Sequence, residues 1–150
     1  MFREILLAEE YRHPPEKVWR LLTDSAALER WLMPNDFVPE VQQTFTMTTA
    51  PRPGFDGIIR CRVLELDPPR RMRWSWRAGS IDSTVTFELS PTENGTRLTL
   101  RHDGFKGFSS IIPWLILRHG WKEKLSAKVA SLLEAERQST FTSTLPRSQL

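Results

Sequence analysis

The segment VTFELSPTENGTRLTLRHDGF, residues 85–105, alternates apolar and polar side chains on both sides of a turn that contains Pro, Asn and Gly. Alternation with a period of two is typical of a β-strand with one buried face, and the intervening residues favour a turn. The segment therefore predicts a β-hairpin with one apolar face. The residues in phase on that face are Val85, Phe87, Leu89, Leu98, Leu100 and, if the second strand continues, His102.

Three more strand-like runs precede this hairpin: EVQQTFTMTT, GIIRCRVLELD and RRMRWSW. Their connections are short, and consecutive strands with short connections pair antiparallel. Residues 2–11 predict one more strand, which the sequence HPP ends. We therefore expect a curved antiparallel sheet of six or seven strands. Further members of its apolar face are Phe45, Met47, Cys61, Met72, Trp74 and Trp76, with arginines on the opposite, solvated face.

Helical patterns follow the first strand. Pro15 suits the first turn of a helix, and the sequence TDS interrupts the pattern after Leu22. Either Asp24 or Ser25 can cap a second short helix, which is expected to end near Trp31.

A long helix is predicted from Pro113 to about Arg137, because apolar residues recur there along one stripe. An antiparallel sheet with one apolar face needs a cover, and this helix can supply it. The sequence therefore indicates an α+β fold. The stripe consists of Trp114, Trp121, Leu125, Val129 and Leu132.

Length and composition limit the possible functions. A chain of 150 residues is expected to form one domain, residues 1–137, followed by a flexible tail, residues 138–150. The formal net charge of +3 is too small to indicate strong attraction to nucleic acid. Because Cys61 is the only cysteine, we expect no intramolecular disulfide, no cysteine-based metal cluster and a cytoplasmic location. No signal peptide or membrane-spanning run is recognised, so no membrane partner is expected.

Four segments in this order resemble the C-terminal-domain homologues of the activator of the 90-kDa heat-shock protein ATPase, a family of the SRPBCC superfamily (START and birch-pollen-allergen-like proteins). The segments are PPEKVWRLLTDSAALERWL (14–32), VLELDPPRRMRWSW (63–76), VTFELSPTENGTRLTLRHDGF (85–105) and GWKEKLSAKVASL (120–132). The resemblance covers nearly the whole chain and implies a helix-grip fold. It departs at PEVQQTF, where the family usually has a glycine-containing turn before the second strand.

The resemblance also implies a deep apolar cavity between the sheet and the long helix, in which proteins of the superfamily hold lipids, polyketides, hormones or other hydrophobic molecules. We therefore expect the chain to bind a small hydrophobic molecule there, without a cofactor or a metal ion. Alternatively, its aromatic side chains fill the cavity themselves. The expected ligand-binding residues are Trp31, Phe45, Met47, Cys61, Trp74, Trp76, Phe87, His102, Phe105, Phe108, Trp114, Trp121 and Leu125.

Two other functions stay open at this point. The family name implies a chaperone cofactor or a stress-related accessory protein. Enzyme-like relatives in the superfamily imply a cyclase- or hydrolase-like activity on a lipophilic substrate. His102 is the one candidate acid-base residue, because strand parity turns it inward, whereas a hydrogen-bonded structural histidine is the competing interpretation. The almost wholly apolar inward face favours a non-catalytic role.

The run SSIIPWLIL, residues 109–117, holds more apolar residues than one helical stripe can bury. It either covers the mouth of the cavity as a gate or forms an exposed patch for a partner. Phe105 and Phe108, just before it, are the expected gate residues. Because a second copy of the chain could be that partner, both a monomer and a homodimer are compatible with the sequence.

Overall fold

The computed structural model describes residues 2–135 of the chain. One antiparallel sheet is covered by two short helices and a long C-terminal helix. The strands are β1 (Phe2–Tyr11), β2 (Thr44–Thr48), β3 (Ile58–Asp67), β4 (Arg71–Ala78), β5 (Ile81–Thr92) and β6 (Gly95–Lys106). The helices are α1 (Pro15–Thr23), α2 (Ser25–Trp31) and α3 (Ile111–Glu123), which continues through a π-helical segment (Lys124–Val129) to residue 135. The predicted tail lies outside the described residues.

The strand order in the sheet is β1-β6-β5-β4-β3-β2. Strands β2 to β6 form a meander, and the pairing of Thr92 with Gly95 closes the hairpin predicted for residues 85–105. β1 pairs with β6, with Leu7 opposite Leu100. The predicted α+β helix-grip fold is thereby confirmed, with six strands in the sheet.

The two faces of the sheet differ as the alternation predicted. Trp74 and Trp76 in β4 are buried, while Arg77 in the same strand is exposed. On the outer face, the Arg71 guanidinium donates hydrogen bonds to the carboxylates of Glu65 and Glu88. Exposed ion pairs of this kind contribute little to stability. The burial of the inner face therefore carries most of the stabilisation.

A β-bulge in β6 turns two functional candidates to the same side. Arg3 pairs with Phe105 and Glu4 with Asp103, so Gly104 is the extra residue of β6. Gly104 has a φ of 101°, which favours glycine, and a Cβ there would lie 3.2 Å from the Cα of Ser83. Because the bulge resets the alternation, His102 and Phe105 both point inward although they are three residues apart.

The turn into β2, in the segment PEVQQTF, contains a residue in a left-handed conformation. Gln42 has a φ of 72°, a left-handed conformation that is uncommon for residues with a Cβ. Its backbone N–H donates to the carbonyl of Val63 at 2.7 Å, which anchors the turn to β3. The turn therefore has a conformation that favours glycine, although its residue is glutamine.

The short helices begin where the sequence predicts. Asp24 caps α2, because its Oδ2 accepts a hydrogen bond from the backbone N–H of Ala27 at 2.9 Å. The hydroxyl of Ser25, the other predicted cap, donates instead to the side-chain oxygen of Asn35 at 2.8 Å. α2 ends at Trp31, as expected.

The C-terminal helix starts at Ile111, two residues before the predicted Pro113, because proline is tolerated in a first helical turn. Its fully buried residues lie four apart: Trp121, Leu125, Val129 and Leu133. A strict spacing of four drifts around an α-helix of 3.6 residues per turn, and the wider π-helical turns compensate for the drift. Leu133, and not the predicted Leu132, is therefore the fully buried residue at this end of the stripe.

Candidate functional site

The space between the sheet and the C-terminal helix is filled by aromatic rings, which form two connected groups. Trp74 is the centre of the first group. Its ring centroid lies 5.1 Å from that of Phe45 and 4.9 Å from that of Phe87, both in edge-to-face geometry. Phe37, from the loop before β2, lies 5.7 Å from Trp74 and closes the group. Such ring pairs are favourable beyond the burial of their surface.

Trp121 of the C-terminal helix is the centre of the second group. Its ring lies 5.7 Å from Trp76, 6.0 Å from Phe87 and 6.4 Å from Trp31. Trp31 comes from α2, and its indole N–H donates to the carbonyl of Leu21 at 2.8 Å. The sheet, α2 and the C-terminal helix therefore meet at this ring.

A polar chain crosses the second group. His102 Nε2 lies 2.7 Å from the Ser83 hydroxyl, and the Trp121 indole N–H donates to His102 Nδ1 at 3.1 Å. An indole N–H can only donate, so Nδ1 must carry a lone pair. A neutral His102 therefore holds its proton on Nε2 and donates it to the Ser83 oxygen.

This arrangement limits the chemistry that His102 can perform. Burial lowers the pKa of His102 from 6.5 to about 3, so the ring is neutral near pH 7. The proton on Nε2 points at Ser83, and the lone pair on Nδ1 is occupied by Trp121. His102 is thus not arranged to remove a proton from Ser83. The geometry supports the hydrogen-bonded structural histidine over the acid-base residue.

Two indole groups in the same interior have no hydrogen-bond acceptor within residues 2–135. The Nε1 atoms of Trp74 and Trp76 are buried and contact no acceptor among the described residues. Leaving a buried donor unsatisfied costs about 1–3 kcal/mol, and such groups are uncommon in native proteins. The interior therefore contains two donors for which residues 2–135 provide no acceptor.

Most of the predicted site residues lie together in this interior. Buried there are Trp31, Phe45, Met47, Cys61, Trp74, Trp76, Phe87, His102, Phe105, Trp121 and Leu125. Burial also raises the pKa of the Cys61 thiol, so Cys61 is a protonated core residue near neutral pH. Within residues 2–135, no cluster of three His, Cys, Asp or Glu side chains is placed to hold a metal ion.

Phe108 and Trp114 lie apart from the other predicted residues. Phe108 sits on the 3-10 turn before α3, and its side chain is 90% exposed. Trp114 is partly buried, and its indole N–H donates to the carbonyl of Glu4 at 2.9 Å, on the edge strand β1. Phe108 is outside the buried interior, whereas Trp114 packs against its edge. Of the two expected gate residues, only Phe105 is fully buried.

Two surface depressions are lined by other residues. One, of about 300 Å³, lies where α1 and α2 face the end of the C-terminal helix, and Leu21, Ala27 and Leu132 are among its lining residues. The other, of about 430 Å³, lies on the outer face of the sheet, where Arg73, Thr86 and Arg101 contribute to its lining. The first depression reaches Leu21, whose carbonyl accepts the hydrogen bond from Trp31.

Two residues of the interior were missed from the sequence. Ser83 shares the phase of Val85 and Phe87, so strand parity alone could have placed its hydroxyl inside. Phe37 lies in the irregular segment between α2 and β2, where no periodicity indicates burial. Its position depends on contacts with Phe45 and Trp74 that only the fold creates.

The six-stranded sheet wrapped around a C-terminal helix defines the helix-grip class of α+β proteins. Within this class, the chain belongs to the family described as "Activator of Hsp90 ATPase homolog 1-like protein", whose model matches residues 12–134. The family suggested by the four sequence segments is thereby confirmed. None of the proteins of curated function matches the chain.

Solved structures of similar proteins agree with the family. Protein MLL2253 from Mesorhizobium loti is 31% identical, with a TM-score of 0.81 over 89% of this chain and 98% of that chain. Protein BH1534 from Bacillus halodurans is 26% identical, with a TM-score of 0.71 over 87% of this chain and 96% of that chain. DynU16, a protein of the dynemicin biosynthetic locus, shares the fold at 17% identity, with a TM-score of 0.72 over 87% of this chain and 47% of that chain.

Proposed function

We propose that the chain binds a small hydrophobic molecule that carries a hydrogen-bond acceptor, in the interior between the sheet and the C-terminal helix. The observation that carries this proposal is that the buried indole N–H groups of Trp74 and Trp76 meet no acceptor in the part of the chain that the structure describes. A bound carbonyl or ether oxygen would satisfy a donor that otherwise costs free energy, while the surrounding rings would contact the apolar part of the molecule.

Binding of this kind requires the rings to separate, because they now contact one another. The opening motion assigned by the proposal is a displacement of the C-terminal helix away from α2. Two observations support it. The depression of about 300 Å³ lies between α2 and the end of the C-terminal helix, and Trp31, which bonds to the carbonyl of the lining residue Leu21, contacts Trp121. The unsatisfied donors make the closed interior less stable than a fully paired one, which favours opening around a suitable ligand.

The ketone-bearing dye prodan and its parent dimethylaminonaphthalene, which lacks the ketone, test the proposal. Prodan is expected to bind with a blue-shifted emission. The variant Trp76→Phe keeps a ring but removes the donor, and it should weaken prodan binding about fivefold. Binding of the parent dye should change less. Extraction of the purified protein, followed by mass spectrometry, should identify the natural ligand class.

Trp31→Phe is the matched control. It removes the same side-chain volume as Trp76→Phe, but the indole N–H that it removes is hydrogen-bonded to the carbonyl of Leu21. Relative to this control, Trp76→Phe should cost about 1 kcal/mol less stability in urea unfolding, since no hydrogen bond is lost. The proposal is wrong if neither dye binds and extraction of the native protein releases no small molecule.

A further inference from the structure

The N-terminal half of α3 presents an apolar surface to solvent. We call the side chains of Phe108, Ile112, Leu115 and Ile116 the α3 patch. Their exposed fractions are 90%, 69%, 49% and 45%, which are large values for neighbouring apolar residues. Ile112, Leu115 and Ile116 have the spacing of one helical face. The opposite face of the same helix buries Trp121 and bonds Trp114 to β1, so the patch is a second apolar face.

The segment around the α3 patch is positively charged. Residues 104–122 contain Lys106, Arg118 and Lys122 but no Asp or Glu. All three cationic side chains are exposed. The first carboxylate after the segment belongs to Glu123, which lies 3.9 Å from His119 at the far end of the helix. Apolar side chains flanked by lysine and arginine are typical of helices that lie in the interface of an anionic bilayer.

The shape of the α3 patch favours a bilayer over a folded partner. The apolar side chains project from a turn and a helix, and a folded partner would need a complementary groove to accept them. A bilayer has no fixed shape to match. The turn itself begins at Gly107, which has a φ of 70°, and the side chain of Phe108 that follows it is 90% exposed.

We propose that the α3 patch docks the protein on the surface of bilayers that contain anionic phospholipids, with Phe108 and Ile112 inserted at the headgroup boundary and Arg118 and Lys122 near the phosphates. The absence of a spanning run led us to expect no membrane partner, and no helix within residues 2–135 is long and apolar enough to cross a bilayer. Surface docking needs only one apolar helix face and adjacent positive charge.

Co-sedimentation with vesicles tests this proposal on the full chain. Vesicles of phosphatidylglycerol and phosphatidylcholine in equal parts should bind the protein at least about tenfold more tightly than vesicles of phosphatidylcholine alone, and added salt should weaken the binding. The double variant Phe108→Ser, Ile112→Ser should reduce binding by about tenfold or more. Arg118→Gln with Lys122→Gln should reduce only the anionic preference.

Leu6→Ser is the matched control, because Leu6 is 53% exposed but lies on the outer face of the sheet. This variant should bind vesicles as the unchanged chain does. Circular dichroism checks that each variant is folded, which is expected because the substituted side chains are exposed. The proposal is refuted if the protein does not bind anionic vesicles, or if Leu6→Ser lowers binding as much as the double variant Phe108→Ser, Ile112→Ser. A dimer in solution that the patch variant dissociates would also overturn it and assign the patch to a second copy.

Discussion

The buried His102 should make the stability of the protein depend on pH in a specific range. Its pKa is 6.5 in an unfolded chain and about 3 in the folded protein, because burial disfavours the charged ring. Between these values the unfolded chain binds a proton that the folded protein excludes. The contribution of His102 to stability is therefore complete above about pH 6.5 and falls as the pH decreases towards 3.

The magnitude follows from the size of this shift. Each pH unit below the unfolded pKa costs about 1.4 kcal/mol, so lowering the pH from about 7.5 to about 5 should remove about 2 kcal/mol of unfolding free energy through His102 alone. The variant His102→Gln has no titrating ring, while its amide can still donate towards Ser83. It should be less stable at neutral pH but should lose about 2 kcal/mol less over the same range.

Urea unfolding at a series of pH values measures this difference directly. The control His119→Gln changes a histidine whose side chain is 84% exposed, and it should leave the pH dependence unchanged. All other ionisable groups are common to the variants and the unchanged chain, so their effects cancel in the comparison. Parallel stability curves for the unchanged chain and His102→Gln between about pH 5 and pH 7.5 would refute the assignment of His102 as a buried neutral ring.

Four further substitutions test three other features of the fold by urea unfolding. Gln42→Gly should stabilise the protein by about 0.5–1 kcal/mol, because glycine adopts the left-handed conformation without the steric cost of a Cβ and keeps the backbone hydrogen bond to Val63. A loss of stability would show that the backbone at Gln42 is not strained. Gly95→Ala should cost about 3 kcal/mol of unfolding free energy, because the added Cβ would overlap the carbonyl oxygen of Tyr11. Gly120→Ala should instead stabilise α3, because a Cβ there meets only the Lys124 amine at 3.8 Å. Equal effects of the two substitutions would disprove the close approach at Gly95. Tyr11→Phe should cost about 1–2 kcal/mol, since the hydroxyl donates to the buried Leu125 carbonyl at 2.6 Å; no loss would show that water replaces it.

The sequence predicted the sheet and its buried face because alternation records burial directly. Trp74, Trp76 and Phe87 are inside for the reason their phase indicated. Alternation fails where the backbone adds a residue, so the inward position of Phe105 depends on the bulge at Gly104. The π-helical segment likewise shifts the stripe from Leu132 to Leu133, which a constant period cannot anticipate.

The candidate site was less predictable than the fold for a physical reason. Side-chain identity and phase place His102 inside, but its protonation depends on which partners reach its two nitrogens. These partners, Ser83 and Trp121, come from another strand and from the C-terminal helix. Likewise, no pattern in the sequence shows that the Trp121 indole has an acceptor while those of Trp74 and Trp76 have none among the described residues.

The different hydrogen-bonding of the tryptophans has a spectroscopic consequence. The indole N–H bonds to a carbonyl in Trp31 and Trp114, to an imidazole nitrogen in Trp121, and to no described acceptor in Trp74 and Trp76. Proton chemical shifts of indole groups respond to the strength of the hydrogen bond, so these side chains should give separate nitrogen-15 correlation signals. The indole groups therefore report on the core, on the contact between α2 and the C-terminal helix, and on the region beside the α3 patch. One two-dimensional spectrum of the nitrogen-15-labelled protein can locate a bound molecule.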